Sequence, residues 1–215
     1  MIDDSSMQRT TLWRDSGVLA ALLLAAALIL GSLHELTQQR RAEARQQPLR
    51  AALDEVFPAA LHDNNLLAAA FPLLPGNDST LLGLTSERTG YRAMQAGQPT
   101  GVILPLETRG YGGPILLLIG IDSAGTITGL RVQQHNETSG LGDKLELALS
   151  PWIRSFNNRS LNNTPAVLWQ VKRDGGDFDQ FVGATITPRA VVSAVHGALQ
   201  YFDANRQQLL QGAAP

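Results

Sequence analysis

Two hydroxyls, Thr185 and Thr187, stand where a loop gives way to an apolar run with helical spacing. The stretch reads Asp179-Gln180-Phe181-Val182-Gly183-Ala184-Thr185-Ile186-Thr187-Pro188-Arg189. Proline suits the first helical position, because its missing N–H would find no intrahelical partner there. That puts Thr187 at the N-cap, its hydroxyl accepting a backbone N–H. Thr185 is then left just outside the helix, beside the positive end of its macrodipole. Free N–H groups and that dipole suit a phosphate. Gly183-Ala184 is small and lets another group come close to the backbone. The same residues also read as a well-capped helix with no chemistry, and local physics leaves both readings open.

A second polar and glycine-rich run is His135-Asn136-Glu137-Thr138-Ser139-Gly140-Leu141-Gly142-Asp143-Lys144. Strand spacing puts His135 and Glu137 on one face, but no further ligands for a metal are evident, so none is expected. His135 reads equally as a functional or a structural histidine. Glu137 with Lys144 also reads as a solvated pair worth little energy, and the glycines as plain turns.

The elements around these runs follow from periodicity. An apolar, strand-like run from Ala166 to Val171 and the loop Arg173-Asp174-Gly175-Gly176-Asp177 lead into the threonine stretch. From Arg189 to Gln208 a helix is expected, with Val191, Val192, Ala194, Val195, Ala198, Leu199 and Phe202 as its buried stripe. Upstream, Arg88 to Met94 and Thr100 to Thr108 are candidate strands. Ile115 to Asp122, a turn at Ser123-Ala124-Gly125 and Thr126 to Val132 read as a hairpin. The block Gly110-Tyr111-Gly112-Gly113 offers tight backbone before it. From His34 to about Leu74 the spacing is helical, interrupted at Pro48.

Ser16 to Leu33 carries no charge and is rich in Ala and Leu, just long enough to span a bilayer core. The expected layout is a tail over 1–15, a transmembrane anchor over 16–36, a helical stalk over 37–75 and a folded domain over 76–215. The fold class is α+β: a mainly antiparallel sheet with packed helices, preceded by one N-terminal transmembrane helix. The 215 residues carry a net charge of −2, which does not suggest a nucleic-acid partner. The chain has no cysteine, which excludes disulfides and clusters or haem held by its own thiolates. Any redox role then needs an organic cofactor held by oxygen or nitrogen groups.

Asp179 to Thr185 resembles the D-x-x-[S/T]-G-A-T signature of the FMN-binding domain family. That domain is shared by the G subunit of the Rnf (Rsx) electron-transport complex and the C subunit of the sodium-translocating NADH:quinone reductase. Val182 stands where Ser or Thr is usual. His135 to Gly142 is similar to the family's H-x-E-T-P-G-L-G segment, with Ser139 in place of Pro, and Gly110 to Gly113 resembles its G-Y-x-G segment. The likeness covers roughly Gly110 to Phe202, and three motifs in order are more specific than any one.

The resemblance implies FMN attached covalently to Thr185 through a phosphoester. A separate flavin transferase would use FAD and release AMP. Gly183, Ala184, Asp179 and Thr187 would belong to the attachment site. Gly140, Leu141 and Gly142 would lie against the flavin ring, with Glu137, Thr138 and Lys144 hydrogen-bonding or balancing charge around it. It further implies a membrane-anchored electron carrier, a translocase component rather than a catalyst alone. Its complex couples electron flow between ferredoxin and NAD to ion movement. The partners would be the other integral and peripheral subunits, and the domain would face the periplasm from the bacterial inner membrane. The basic residues speak for the opposite orientation, with Arg40, Arg41 and Arg45 after the apolar run and Arg9 and Arg14 before it. The rival expectation is an anchored assembly or scaffold protein without flavin.

Overall fold

Pro58 decides where the first helix stops. The computed structural model describes residues 49–76 and 79–212. Residues 49–56 are helical (α1), and the Phe57 N–H still reaches the Leu53 carbonyl at 2.8 Å. Pro58 has no N–H to extend the ladder, and it biases Phe57 away from helical angles. The chain instead passes through two short 3₁₀ segments, Ala59–Leu61 and Leu66–Ala69, into strand β1, Ala70–Leu73. The helical pattern expected as far as Leu74 therefore ends after Val56. Pro72 is tolerated in β1 because that strand is an edge of the sheet.

The remaining strands match their sequence patterns. They are β2 (Arg88–Gln95), β3 (Gln98–Arg109), β4 (Pro114–Asp122) and β5 (Ile127–Gln134). They pair in chain order, each antiparallel to its neighbours, as one five-stranded sheet. Short turns make this order easy. Ala96 and Gly97, at φ 49° and 75°, form the tight link from β2 to β3. The Asp122 carboxylate accepts the N–H groups of Ala124 and Thr126 in the link from β4 to β5.

Both faces of the sheet are covered. Val102, Leu104, Leu106, Leu117 and Ile119 join one buried cluster with Val191, Val192, Val195, Ala198, Leu199, Tyr201 and Phe202 of helix α2, Ile186–Gln211. Ala194, expected in the same stripe, is only half-buried. Ile103 and Leu118 alternate to the other face, where α1 packs. There Gly120 and Gly129 leave room for the Val56 carbonyl, which a Cβ would meet at 2.5 and 2.7 Å. Thr128 donates its hydroxyl to that same carbonyl at 2.7 Å.

Two further expectations change. The run from Ala166 to Val171 is not a strand. It forms a 3₁₀ turn, Ala166–Leu168, and a single bridge between Val171 and Phe178. Trp169 and Val171 are buried while Val167 is exposed, and the backbone bonds locally, as in Leu168 N–H to the Pro165 carbonyl at 2.9 Å. The stretch 50–75, expected within a stalk, packs with the sheet: the described residues from Arg50 onward belong to one compact unit. The tail over 1–15, the anchor over 16–36 and the start of the stalk lie outside the described residues. Among the described residues no helix is long and apolar enough to cross a membrane.

Candidate functional site

At one end of the sheet three loops meet the start of α2. One is the β3–β4 turn, closed by Gly110 N–H to the Gly113 carbonyl at 2.9 Å. Another follows β5 from His135 to Gly142. The last runs from Phe181 to Thr185. Tyr111, Glu137, Thr138, Leu141, Gly142, Gly183, Ala184, Thr185 and Ile186 line a cleft of about 250 Å³ between them.

The threonine loop is a tight turn. Ala184 N–H donates to the Phe181 carbonyl at 3.1 Å, and Gly183 supplies the φ of 82° that the turn needs. Val182 is thrown outward and is 83% exposed. Thr185, not Thr187, takes the N-cap position of α2, at φ −76° and ψ −25°, and its side chain makes no capping hydrogen bond. Thr185 is half-buried and immediately precedes the first turn, whose N–H groups have no intrahelical partners.

The expectation that Thr187 caps the helix is overturned. Thr187 lies inside α2, is fully buried, and donates its hydroxyl to Glu137 Oε2. Pro188 therefore sits two positions further in than expected, where its missing N–H still breaks no ladder bond. Glu137 Oε1 accepts the Gly112 N–H at 2.8 Å. Glu137 is itself 9% exposed, so this buried carboxyl joins the β3–β4 turn to α2. It does not pair with Lys144 as a solvated surface pair. The surrounding glycines make its space: a Cβ on Gly110 would lie 2.3 Å from Oε1, and one on Gly142 would lie 2.6 Å from Oε2.

His135 braces the Glu137 backbone. Its Nδ1 accepts the Glu137 N–H at 3.1 Å, so Nε2 carries the hydrogen and donates to Glu146 Oε1 at 2.9 Å. The following loop closes on itself: Leu141 and Gly142 donate to the Thr138 carbonyl at 3.1 and 3.0 Å. Gly140 N–H donates to Asp143 Oδ2 at 2.8 Å. Leu141 is left 41% exposed on the cleft.

Ion pairs hold the approach to the threonine loop. Arg189 grips Asp174 with two bonds of 2.5 and 2.7 Å. That contact holds the Asp174 carboxyl below its usual range and raises Arg189. Asp179 pairs with Lys172 at 2.7 Å, and the hydrogen bond raises the lysine. The Asp179 carbonyl accepts the Trp152 Nε1–H at 2.7 Å.

Residues 110–200 match the FMN-binding domain family, a span that contains all three loops of the cleft. The G subunit of the ion-translocating oxidoreductase complex of Pseudomonas aeruginosa (strain PAO1) is 43% identical over 208 residues, 96% of this chain and 95% of that protein. The corresponding G subunit of Stutzerimonas stutzeri is 48% identical over 85% of this chain and 76% of its own length. The chain belongs to the family of G subunits of ion-translocating oxidoreductase complexes. Among solved structures, Shewanella oneidensis NqrC aligns with a TM-score of 0.46 at 22% identity, over 68% of this chain and 74% of that one.

In this member of the family the cleft gathers seven of the residues singled out from the sequence: Glu137, Thr138, Leu141, Gly142, Gly183, Ala184 and Thr185. Asp179, Gly140, Lys144 and Thr187 do not line it. Asp179 faces solvent with Lys172, Lys144 lies in the short turn Asp143–Leu145, and Thr187 sits beneath the cleft. Tyr111 and Ile186 line it and were not expected to. For Tyr111 the signal was present: it is the aromatic residue of the Gly110-Tyr111-Gly112-Gly113 segment, and it stands 73% exposed at the cleft.

Proposed function

We propose that this chain is a membrane-anchored flavoprotein electron carrier, with FMN attached by a phosphoester to Thr185, working within an Rnf-type ion-translocating complex. One observation carries the reading most. Thr185, whose side chain makes no capping bond, lines the same cleft as Thr138, Leu141 and Gly142. The residues present fit the group. Gly183 and Gly142 keep side-chain bulk out of the cleft, and Tyr111, Leu141 and Ile186 give it apolar walls. The N–H groups of the first turn of α2 and its dipole favour a phosphodiester at Thr185. When bound, FMN supplies chemistry that passes electrons singly between partners of different electron number.

The protein's part is to hold and orient. Thr185 would fix the phosphate, and the apolar walls would limit water at the ring. Leu141 would offer its methyl groups to the ring face. Covalent attachment suits a periplasmic domain, where a dissociated flavin would be lost, and the apolar run over 16–36 would keep it beside its partner subunits in the inner membrane. Attachment itself would fall to a flavin transferase using FAD.

The test is in-gel flavin fluorescence after denaturing electrophoresis, with the chain co-expressed with a flavin transferase and Thr185→Val run beside it. Fluorescence in the membrane fraction for the parent and none for the variant is the expected result. A dark parent beside an active transferase would sink the reading and favour an assembly protein without flavin.

A further inference from the structure

The first turn of α2 is weakly closed by its own backbone. Arg189 N–H reaches the Thr185 carbonyl at 3.4 Å, and Pro188 has no N–H to give. Side chains hold the turn instead. Arg189 is tied to Asp174, and Thr187 is tied to Glu137. Of the two, only the second is buried: Thr187 is fully buried and Glu137 is 9% exposed, whereas the Arg189 and Asp174 side chains are 46% and 31% exposed. Glu137 has both oxygens engaged by this protein, Oε1 by Gly112 N–H and Oε2 by the Thr187 hydroxyl. A buried carboxyl bonded to two elements sets the spacing between them, because breaking either bond strands a desolvated acceptor.

We infer that Glu137 is a positioning residue for Thr185. Acting through Thr187 and Gly112, it fixes the start of α2 against the β3–β4 turn and so presents the Thr185 hydroxyl to the cleft. This rests on the reading of Thr185 as flavin acceptor, and it assigns Glu137 a place beneath the cofactor site. In the transfer, Thr185 Oγ1 forms a bond to the phosphorus of the FMN half of FAD. The bond from that phosphorus to the AMP oxygen breaks, the hydroxyl proton goes to solvent, and AMP leaves. No electrons change hands.

The experiment measures initial rates of covalent flavin attachment to the full chain, with purified transferase, FAD and varied protein concentration. The variants are Thr187→Val, Thr187→Ser, Glu137→Ala and the Thr187→Val/Glu137→Ala double, with Thr185→Val as control. Rates are read below the melting temperature of each variant, where circular dichroism shows it folded. Thr187→Val and Glu137→Ala should each lower kcat by about tenfold to a hundredfold, the cost of misplacing a reacting group by about an ångström. KM for the protein should stay near the parent's, because the exposed signature is unchanged. The double variant should be no slower than the worse single, since both remove one contact. Thr187→Ser keeps the hydroxyl and should keep the rate. If Glu137→Ala does not fold, the Val and Ser variants at position 187 decide alone. Thr187→Val labelled at the parental rate, or Thr187→Ser as slow as Thr187→Val, overturns the inference. Label retained by Thr185→Val overturns the acceptor reading, and this inference with it.

Discussion

Two glycines in the same loop carry different loads. Gly140 adopts φ 77° with nothing within 4 Å of where a Cβ would stand. Gly142 has ordinary angles, φ −88° and ψ −16°, but a Cβ there would meet Glu137 at Oε2 (2.6 Å) and at its own Cβ (2.8 Å). Gly140→Ala should therefore cost only the left-handed backbone penalty of about 1–2 kcal/mol and leave the cleft intact. Gly142→Ala should cost about 1–3 kcal/mol by overpacking and should also push Glu137 off Thr187. Chemical denaturation measures the costs, and flavin labelling separates the two: Gly140→Ala labels normally and Gly142→Ala labels slowly. Equal labelling would mean that the loop gives way without moving the carboxyl. Val182 is the opposite case. At 83% exposure it makes no contact that a hydroxyl would replace. Val182→Thr, which restores the residue type usual in the signature, should change stability by less than about 0.5 kcal/mol and leave labelling unchanged. A clear rise in labelling would show that the hydroxyl is read by the transferase.

At the scale of elements, α2 shows what sequence could and could not disclose. Its apolar stripe was legible because Val191, Val195, Ala198 and Phe202 repeat at helical spacing and all are buried. Its first turn was misplaced by two positions, because local rules give Thr187 to the cap. The competing bond came from Glu137, fifty residues upstream, and no local pattern reports such a partner. The strand at Ala166 to Val171 failed for a related reason: apolar content does not say whether a partner strand exists. The same helix sets two tests. Gly197 faces the Leu81 carbonyl, and a Cβ would meet it at 2.7 Å. Alanine is favoured over glycine in a helix by about 1 kcal/mol, yet Gly197→Ala should destabilise on balance, because backbone must move to admit it. A raised melting temperature would refute that. His196 stacks on Trp169, 5.4 Å between centroids and 4° from coplanar, and burial pushes its pKa below the ordinary 6.5. The unfolded chain then takes up a proton at higher pH than the folded one. Stability should fall as pH drops below 6.5 towards the folded value, and be unaffected by this group above it. Melting temperatures from about pH 8 to about pH 5 should show a smaller loss for His196→Gln than for the parent; parallel curves would contradict it.

At the scale of the whole molecule, the question is where the folded unit begins. Periodicity and the turn residues after Leu74 point to a start near residue 76, with everything before it a stalk. Packing puts the boundary much earlier. Leu53, Val56 and Phe57 are buried on one face of the sheet, and Leu66, Phe71 and Leu73 are buried with or beside β1. β1 also pairs with β2 through Ala70–Leu73, so that its loss would bare the backbone of β2 as a new edge. Each large apolar side chain contributes about 1.5–3 kcal/mol when fully buried. Together these six equal much of the roughly 5–15 kcal/mol that holds a typical domain together. A chain cut to residues 50–215 should therefore unfold in one cooperative transition, while a chain cut to 76–215 should show no cooperative melt and should aggregate. Calorimetry on the two truncations decides it. A cooperative transition in the shorter chain would mean that α1 and β1 are attached to the sheet without supporting it, and that the cleft at the far end needs only β2 to β5 and α2.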